Sequence, residues 1–325
     1  MHVRRSMERN PRFVNLLWEL VCGVSTQVHW RTATPSSGAI SVKLACITWL
    51  SLAGTAGAQI QILAVVNSAS YQAGIPEPGS LATIFCTGLT GIAGVVSPAT
   101  QYPLPLELAG VHVTVNLGAA PLLAVADLGG GMQQVNLQVP PERILMQIST
   151  VRVTQNGSSG KMDKVDYPGV GGFFSDDEGN AVALHLADGT PITSQNPAHA
   201  GELIVAYGTG FGPTYPPKPI GFPAPIAPPF QGAMDFTEPN TSYNIDFPAR
   251  QLTLQSKVIH VSFSGVAPGW TGVDQIVFQI PDGLTAGAPS LVLAAGVISC
   301  VPPPFVQPCT FQAKANSNMV KISVQ

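Results

Sequence analysis

The chain contains one segment twice. Pro78–Leu89 reads PGSLATIFCTGL and Ala200–Phe211 reads AGELIVAYGTGF, with Gly, Leu and Thr-Gly in the same places. Phe85 falls opposite Tyr207 and Cys86 opposite Gly208. Further on, Gln134–Pro140 (QVNLQVP) aligns with Gln275–Pro281 (QIVFQIP). A chain that repeats itself at such spacing folds as two copies of one unit. The offset grows from 122 residues at the first anchor to 141 at the second, so the second copy holds about 19 extra residues. They fall in the proline-rich stretch 213–230, PTYPPKPIGFPAPIAPPF, which reads as a stiff, exposed insertion, either a spacer or a loop covering a sheet edge.

Each copy is written in a period of two. Val111, Val113 and Val115 alternate with His112 and Thr114, and Val135, Leu137 and Val139 alternate with Gln134, Asn136 and Gln138. Ile276, Phe278 and Ile280 alternate with polar Gln275 and Gln279, and Val320, Ile322 and Val324 close the chain in the same way. Such runs, separated by turns, indicate antiparallel sheets packed face to face. The 33 glycines and 30 prolines supply those turns and exclude a helical bundle, because proline breaks the helical ladder. Only 10% of residues are charged while 45% are apolar, which excludes a disordered chain. With 15 basic against 18 acidic residues there is no cationic excess for nucleic acid. The expected fold is all-β: two tandem immunoglobulin-like β-sandwich repeats, the first over 59–164 and the second, with its insertion, over 165–325.

The run LACITWLSLAGTAGA (Leu44–Ala58) follows Lys43 and ends in Ala56-Gly57-Ala58. It is too short for a ~30 Å hydrocarbon core. A positive flank, a short apolar stretch and small residues at −3 and −1 describe a secretory signal peptide, 42–58, cleaved after Ala58. Residues 1–41 then read as a gene-call extension or disordered leader, with Val42 as the expected start. The expected location is secreted or cell-surface, with no membrane span in the mature chain. From Gln59 onward, nine basic residues face sixteen acidic ones.

At VNSASYQAGIPEPGSLATIFCTGL (Val66–Leu89), LPLELAGVHVTVN (Leu104–Asn116), NPAHAGELIVAYGTGFGPT (Asn196–Thr214) and GVAPGWTGVDQIVFQIPDG (Gly265–Gly283), the chain resembles the uncharacterised Solibacter-type C-terminal domain family of secreted acidobacterial proteins. The resemblance runs in order through residues 62–325 and implies export and a sandwich architecture; the family supplies no reaction. PGSLATIFCTGL also resembles, at the level of fold, the opening of an IPT/TIG immunoglobulin-like domain. Cys86 stands where the family usually has glycine.

Chemistry-bearing patterns are sparse. The chain lacks G-x-S-x-G, H-E-x-x-H, a phosphate-loop motif and paired C-x-x-C. Cys300 and Cys309 flank VPPPFVQP, and in an exported protein they either form a disulfide or stay reduced. Cys86 reads as a buried, inert thiol. Asp176, Asp177 and Glu178, before Gly179, offer either hard oxygen ligands for Ca²⁺ or a solvated turn. His112, His185, His199 and His260 are scattered, and Gly129-Gly130-Gly131 reads as a turn. Trp270, in a Pro-Gly-Trp-Thr-Gly turn, is either a stacking platform for a ligand or an inter-domain packing residue. The amide rows Gln134/Asn136/Gln138 and Gln275/Gln279 either face a glycan or stay solvated and tie loops. The expectation is therefore a non-catalytic module with structural, adhesive or protein-interaction roles, needing no cofactor, whose partner is a protein or glycan at the cell surface. Carbohydrate binding is the alternative, and an extracellular hydrolase the least supported reading.

Overall fold

The computed structural model describes residues 59–92, 96–98, 101–142, 148–226, 231–232, 247–299 and 310–325. The expected leader and the Cys300–Cys309 pair lie outside the described residues. Among the described residues there is no α-helix, and so none long and apolar enough to cross a membrane.

The first repeat comprises β1 (Gln61–Asn67), β2 (Leu81–Thr87), β3 (Val96–Pro98), β4 (Glu107–Leu108), β5 (Val111–Val115), β6 (Gly118–Ala119), β7 (Leu122–Gly129), β8 (Met132–Gln138), β9 (Ser149–Gln155) and β10 (Ser158–Val165). One sheet has the order β1-β2-β8-β7-β3; the other runs β10-β9-β5-β4, with β6 on β5. Lettered by role, strands A-B-E-D face G-F-C, the constant-type immunoglobulin arrangement.

The second repeat follows as β11 (Gly172–Phe173), β12 (Ala183–His185), β13 (Leu203–Thr209), β14 (Thr214–Tyr215), β15 (Gln231–Gly232), β16 (Phe247–Leu254), β17 (Lys257–Ile259), β18 (Val261–Val266), β19 (Asp274–Gln279), β20 (Ser290–Ser299), β21 (Thr310–Asn316) and β22 (Val320–Lys321). Its larger sheet is β11-β13-β19-β18-β15-β14, with β12 also on β13, and its smaller one is β17-β16-β20-β21, with β22 on β20. The lettering is the same, so the chain is two tandem immunoglobulin-like sandwiches.

The repeat seen in the sequence is a repeat in register. Leu81 pairs with Gln138 and Ile84 with Val135 across β2–β8. Leu203 pairs with Gln279 and Ala206 with Ile276 across β13–β19. These are the positions that the two sequence anchors equate. Each sandwich also closes its own core. Val111, Val113 and Val115 meet Ile84, Val125 and Val135 in the first. Ile204, Ala206, Ile276 and Phe278 meet Leu252, Leu254, Leu291 and Leu293 in the second. Val165, the last residue of β10, belongs to the first core and Val170 to the second, so the crossing between repeats is short.

A third apolar cluster belongs to neither repeat alone. Leu81, Leu104 and Leu123 of the first come together with Val205, Tyr207, Val273 and Val277 of the second. Val205, Tyr207 and Val277 are the alternate residues of β13 and β19, so this sheet is buried on both faces. The amide row of β8 is buried as well: Gln134, Asn136 and Gln138 are all below 5% exposed. Gln134 Nε2 and Thr83 Oγ1 both donate to Asn136 Oδ1, at 2.8 and 3.1 Å.

Cys86 lies in β2 with no exposed surface, and burial pushes its thiol up to about 12. The reactive thiolate is therefore nearly absent at pH 8. Alkylation at that pH, mapped by peptide mass spectrometry, should leave Cys86 unmodified in the native protein and label it fully in denaturant. Labelling of the native protein at Cys86 would show that β2 is not the buried strand described.

Candidate functional site

The candidate site is the junction between the repeats, and it starts from two side chains with no solvent to turn to. Asp274 opens β19 and Lys218 lies in the proline-rich insertion; their side chains are 1% and 3% exposed. Lys218 Nζ donates to Asp274 Oδ2 at 2.7 Å and to Ser80 Oγ, in the first repeat, at 3.3 Å. The backbone N–H groups of Gly210 and Phe211 donate to the same carboxylate oxygen, each at 2.9 Å. Burial pushes the Asp274 carboxyl above the ordinary carboxylate range, while Lys218 and the Phe211 amide oppose that shift and the Glu77 charge adds to it. Three donors on one oxygen make the ionised form the one that fits.

The first repeat holds an uncharged version of this site. By the repeat alignment Gln133 stands where Asp274 does, and Leu89 where Phe211 does. Gln133 Oε1 accepts from Leu89 N at 3.2 Å, the counterpart of the Asp274–Phe211 bond. The second repeat has a charge at this place, and its insertion brings the countercharge.

Over its described residues that insertion is anchored to the protein and is not a free spacer. Lys218, Gly221 and Ala224, three residues apart, are buried, while most residues between them are partly or fully exposed. Gly221 lies between the repeats: its N–H donates to Gln138 Oε1 at 2.7 Å, and its carbonyl accepts from Leu104 N, also at 2.7 Å. The Gln138 amide donates in turn to the carbonyls of Gly79 and Pro219, both at 2.9 Å. Gly79 has φ +80, and a Cβ there would stand 2.5 Å from Lys218 Cβ, so only glycine lets the lysine stem pass. The segment is a strap across the first repeat.

Two further contacts fix the angle. Asn67 forms a turn by accepting from the N–H groups of Ala69 and Ser70, and its Nδ2 donates to Thr209 O at 3.2 Å. Thr209 Oγ1 accepts from Leu81 N at 2.8 Å and donates to Gly272 O at 2.7 Å. Beside them Glu77 accepts from Tyr167 OH at 3.1 Å and faces Arg250 of β16 at 3.9 Å, too long for a hydrogen bond but close enough for charge to act.

The residues singled out in the sequence distribute as follows. Trp270 is partly buried and packs on the cluster shared by the repeats, and its carbonyl accepts from Ala224 N of the strap at 3.0 Å. The junction thus uses it for packing. The Asp176 carboxylate is committed to Asn180, whose N and Nδ2 donate to Oδ1 and Oδ2 at 2.7 and 2.9 Å. Gly179 turns the chain there at φ +81, and Asp177 and Glu178 occupy the same turn. Among the described residues no group of three His, Cys, Asp or Glu is placed to hold a metal ion. Gly129, Gly130 and Gly131 all have positive φ at the β7–β8 turn.

The histidines are not all alone. His112 pairs with Glu107 at the surface, at 2.9 Å. His185 is buried, with Nδ1 against Glu202 Oε1 and Nε2 facing Asn196 O at 3.2 Å, while Glu202 Oε2 accepts from His199 N. This pair pins the 186–202 loop. Sequence reasoning missed Lys218, Asp274, Asn67 and Thr209. One signal was available: Lys218 is the only charged residue between Glu202 and Asp235, set in a run of prolines.

No family model and no curated protein matches the chain. Among solved structures it is similar to the tandem Ig repeats of Dlar, at 9% identity over 82% of this chain and 98% of that one, with a TM-score of 0.19. A titin pair of tandem Ig domains matches at 9% identity, over 77% and 90% of the two chains, with a TM-score of 0.16. An endo-fucoidan hydrolase of glycoside hydrolase family 107 matches at 9% identity over 77% of this chain and 32% of that one, with a TM-score of 0.15. At these scores the immunoglobulin-like assignment rests on the strand order given above.

Removing one partner of a buried ion pair strands the other charge and costs about 3–5 kcal/mol. Lys218→Met should lose stability of that order in urea denaturation. Lys218→Met/Asp274→Asn should recover most of it, because asparagine keeps an acceptor for the Gly210 and Phe211 amides, as Gln133 does for Leu89. A double variant no more stable than the single one would show that the pair is not coupled.

Proposed function

We propose that the chain is an exported, non-catalytic pair of immunoglobulin-like modules, related to the Solibacter-type C-terminal domain family and serving a structural, adhesive or protein-interaction role at the cell surface. The observation that carries this reading is the junction. Its charges and amides are spent on holding one sandwich against the other, through a shared apolar cluster, a buried ion pair and a strap. Buried groups so arranged set geometry, and a rigid tandem leaves recognition to its loops. Exposed apolar side chains stand at Leu117, in the loop between β5 and β6, and at Tyr215 of β14 in the strap. Carbohydrate binding through Trp270 and the β8 amides gains no support, since the tryptophan packs inward and those amides bond to the protein. Export follows from the Leu44–Ala58 segment and its A-x-A end.

Fractionating cells of the source organism and sequencing the protein from its N-terminus tests the compartment. The expected product lies outside the cytoplasm and begins at Gln59. A cytoplasmic protein that retains residues 42–58 would overturn export, and turnover in a hydrolase screen would overturn the non-catalytic assignment.

A further inference from the structure

The pairing of Lys218 with Asp274 leaves one atom over. Lys218 Nζ lies 2.7 Å from Asp274 Oδ2, and the Gly210 and Phe211 N–H groups donate to that same oxygen. The other carboxylate oxygen, Oδ1, is buried and has no hydrogen-bond partner among the described residues. A buried acceptor in that position is costly, and more so when it carries charge.

The first repeat shows what suits this place. Gln133, at the position equivalent to Asp274, presents a neutral amide whose Oε1 accepts from Leu89 N. Joining Lys218 Nζ to Asp274 Cγ would put an amide in the second repeat as well. Its oxygen would be Oδ2, still facing the Gly210 and Phe211 N–H groups. Its N–H would face Ser80 Oγ, which Nζ already reaches at 3.3 Å. The atom lost would be Oδ1, the one without a partner. No buried charge would remain at the pair, so its hydration cost would vanish too.

We propose that Lys218 and Asp274 close an intramolecular isopeptide bond, which fastens the strap covalently to the start of β19. The step balances as a dehydration, with nothing oxidised or reduced. One proton of the Lys218 ammonium passes to the carboxylate, leaving a neutral amine and a neutral acid. The Nζ lone pair then attacks Cγ, and the charge that develops on Oδ2 is held by the two backbone N–H groups. Nitrogen gives a second proton to Oδ1, the Cγ–Oδ1 bond breaks with its electron pair, and water leaves. The new amide keeps the third hydrogen.

Two features favour the reaction. The fold holds both side chains together, at 3% and 1% exposure, so no encounter is needed and little water is present to reverse the step. Burial and the Glu77 charge both push the Asp274 carboxyl up, toward the neutral acid that the attack requires. Among the described residues Nζ bonds only to Asp274 and Ser80, so no separate base assists and closure follows folding slowly. Newly folded protein holds the ion pair, whose loss the urea comparison measures, and aged protein holds the amide.

Intact-mass spectrometry of the purified chain, with its cysteines reduced, tests this. Protein kept folded for several weeks should accumulate a species lighter by one water. Proteolysis of that species should yield a branched fragment that joins the Lys218 peptide to the Asp274 peptide. The same protein kept in denaturant should yield none. Lys218→Arg keeps the positive charge without the amine and should also yield none, with Cys86 protection from alkylation confirming its fold. Folded wild type that never gives the branched fragment overturns the proposal. So does a water loss confined to Asp188-Gly189 or Asp282-Gly283, where aspartate cyclises on its own backbone, and so does a branched fragment that forms equally in denaturant.

Discussion

Asp274 sets its buried charge against Lys218. Two backbone amides would satisfy a neutral acceptor at this position, as they do singly in the first repeat at Gln133. An ionised carboxylate in a dry site needs a cation, and the nearest one is supplied by the inserted strap. Once the lysine is committed there, its stem must cross Gly79, its ammonium reaches Ser80, and the following residues are drawn along the first repeat as far as Gly221. The junction grows outward from this one pairing, with the apolar cluster around Leu81, Tyr207 and Val277 providing the area and the polar contacts providing the angle.

Such a pair is an uneconomical way to gain stability, since two buried ions lose hydration that their attraction only partly returns. It is an effective way to exclude alternatives. Apolar surfaces slide over one another at small cost, whereas an ammonium displaced by a few ångströms from its paired carboxylate does not. Thr209 works in the same sense, with one hydroxyl used as acceptor from the first repeat and donor within the second. The result is two sandwiches with one preferred setting between them.

How far this was legible in the sequence follows from what periodicity can report. Alternation at Val111–Val115 located β5 and its inward face, and the two repeat anchors equated the positions whose pairings, β2–β8 and β13–β19, the structure shows to match. Alternation also marked Gln134, Asn136 and Gln138 as outward, which they are, but outward from one sandwich is inward to the molecule when a second body covers the sheet. A period of two cannot distinguish water from a neighbour. The strap's two readings, spacer or covering loop, stayed open for a related reason. Proline content indicates stiffness and the absence of sheet pairing, and says nothing about what lies beneath. Only the three-residue spacing of Lys218, Gly221 and Ala224, visible once burial is known, separates an exposed spacer from a docked one. Trp270 was ambiguous between two uses of an aromatic ring, and the position of its neighbours decided between them.

The shared cluster has a consequence for how such a protein is inherited. Duplicated domains are usually interchangeable parts, each with a finished surface, and can be cut apart and rejoined in new orders. Here the duplication has gone further: Leu81 and Leu123 on one side, Val205 and Val277 on the other, would each lie bare in a solitary copy, and Lys218 would leave with one half while Ser80 and Gly79 left with the other. The two sandwiches have stopped being exchangeable. The smallest piece that recombination can move without exposing a wound is the pair.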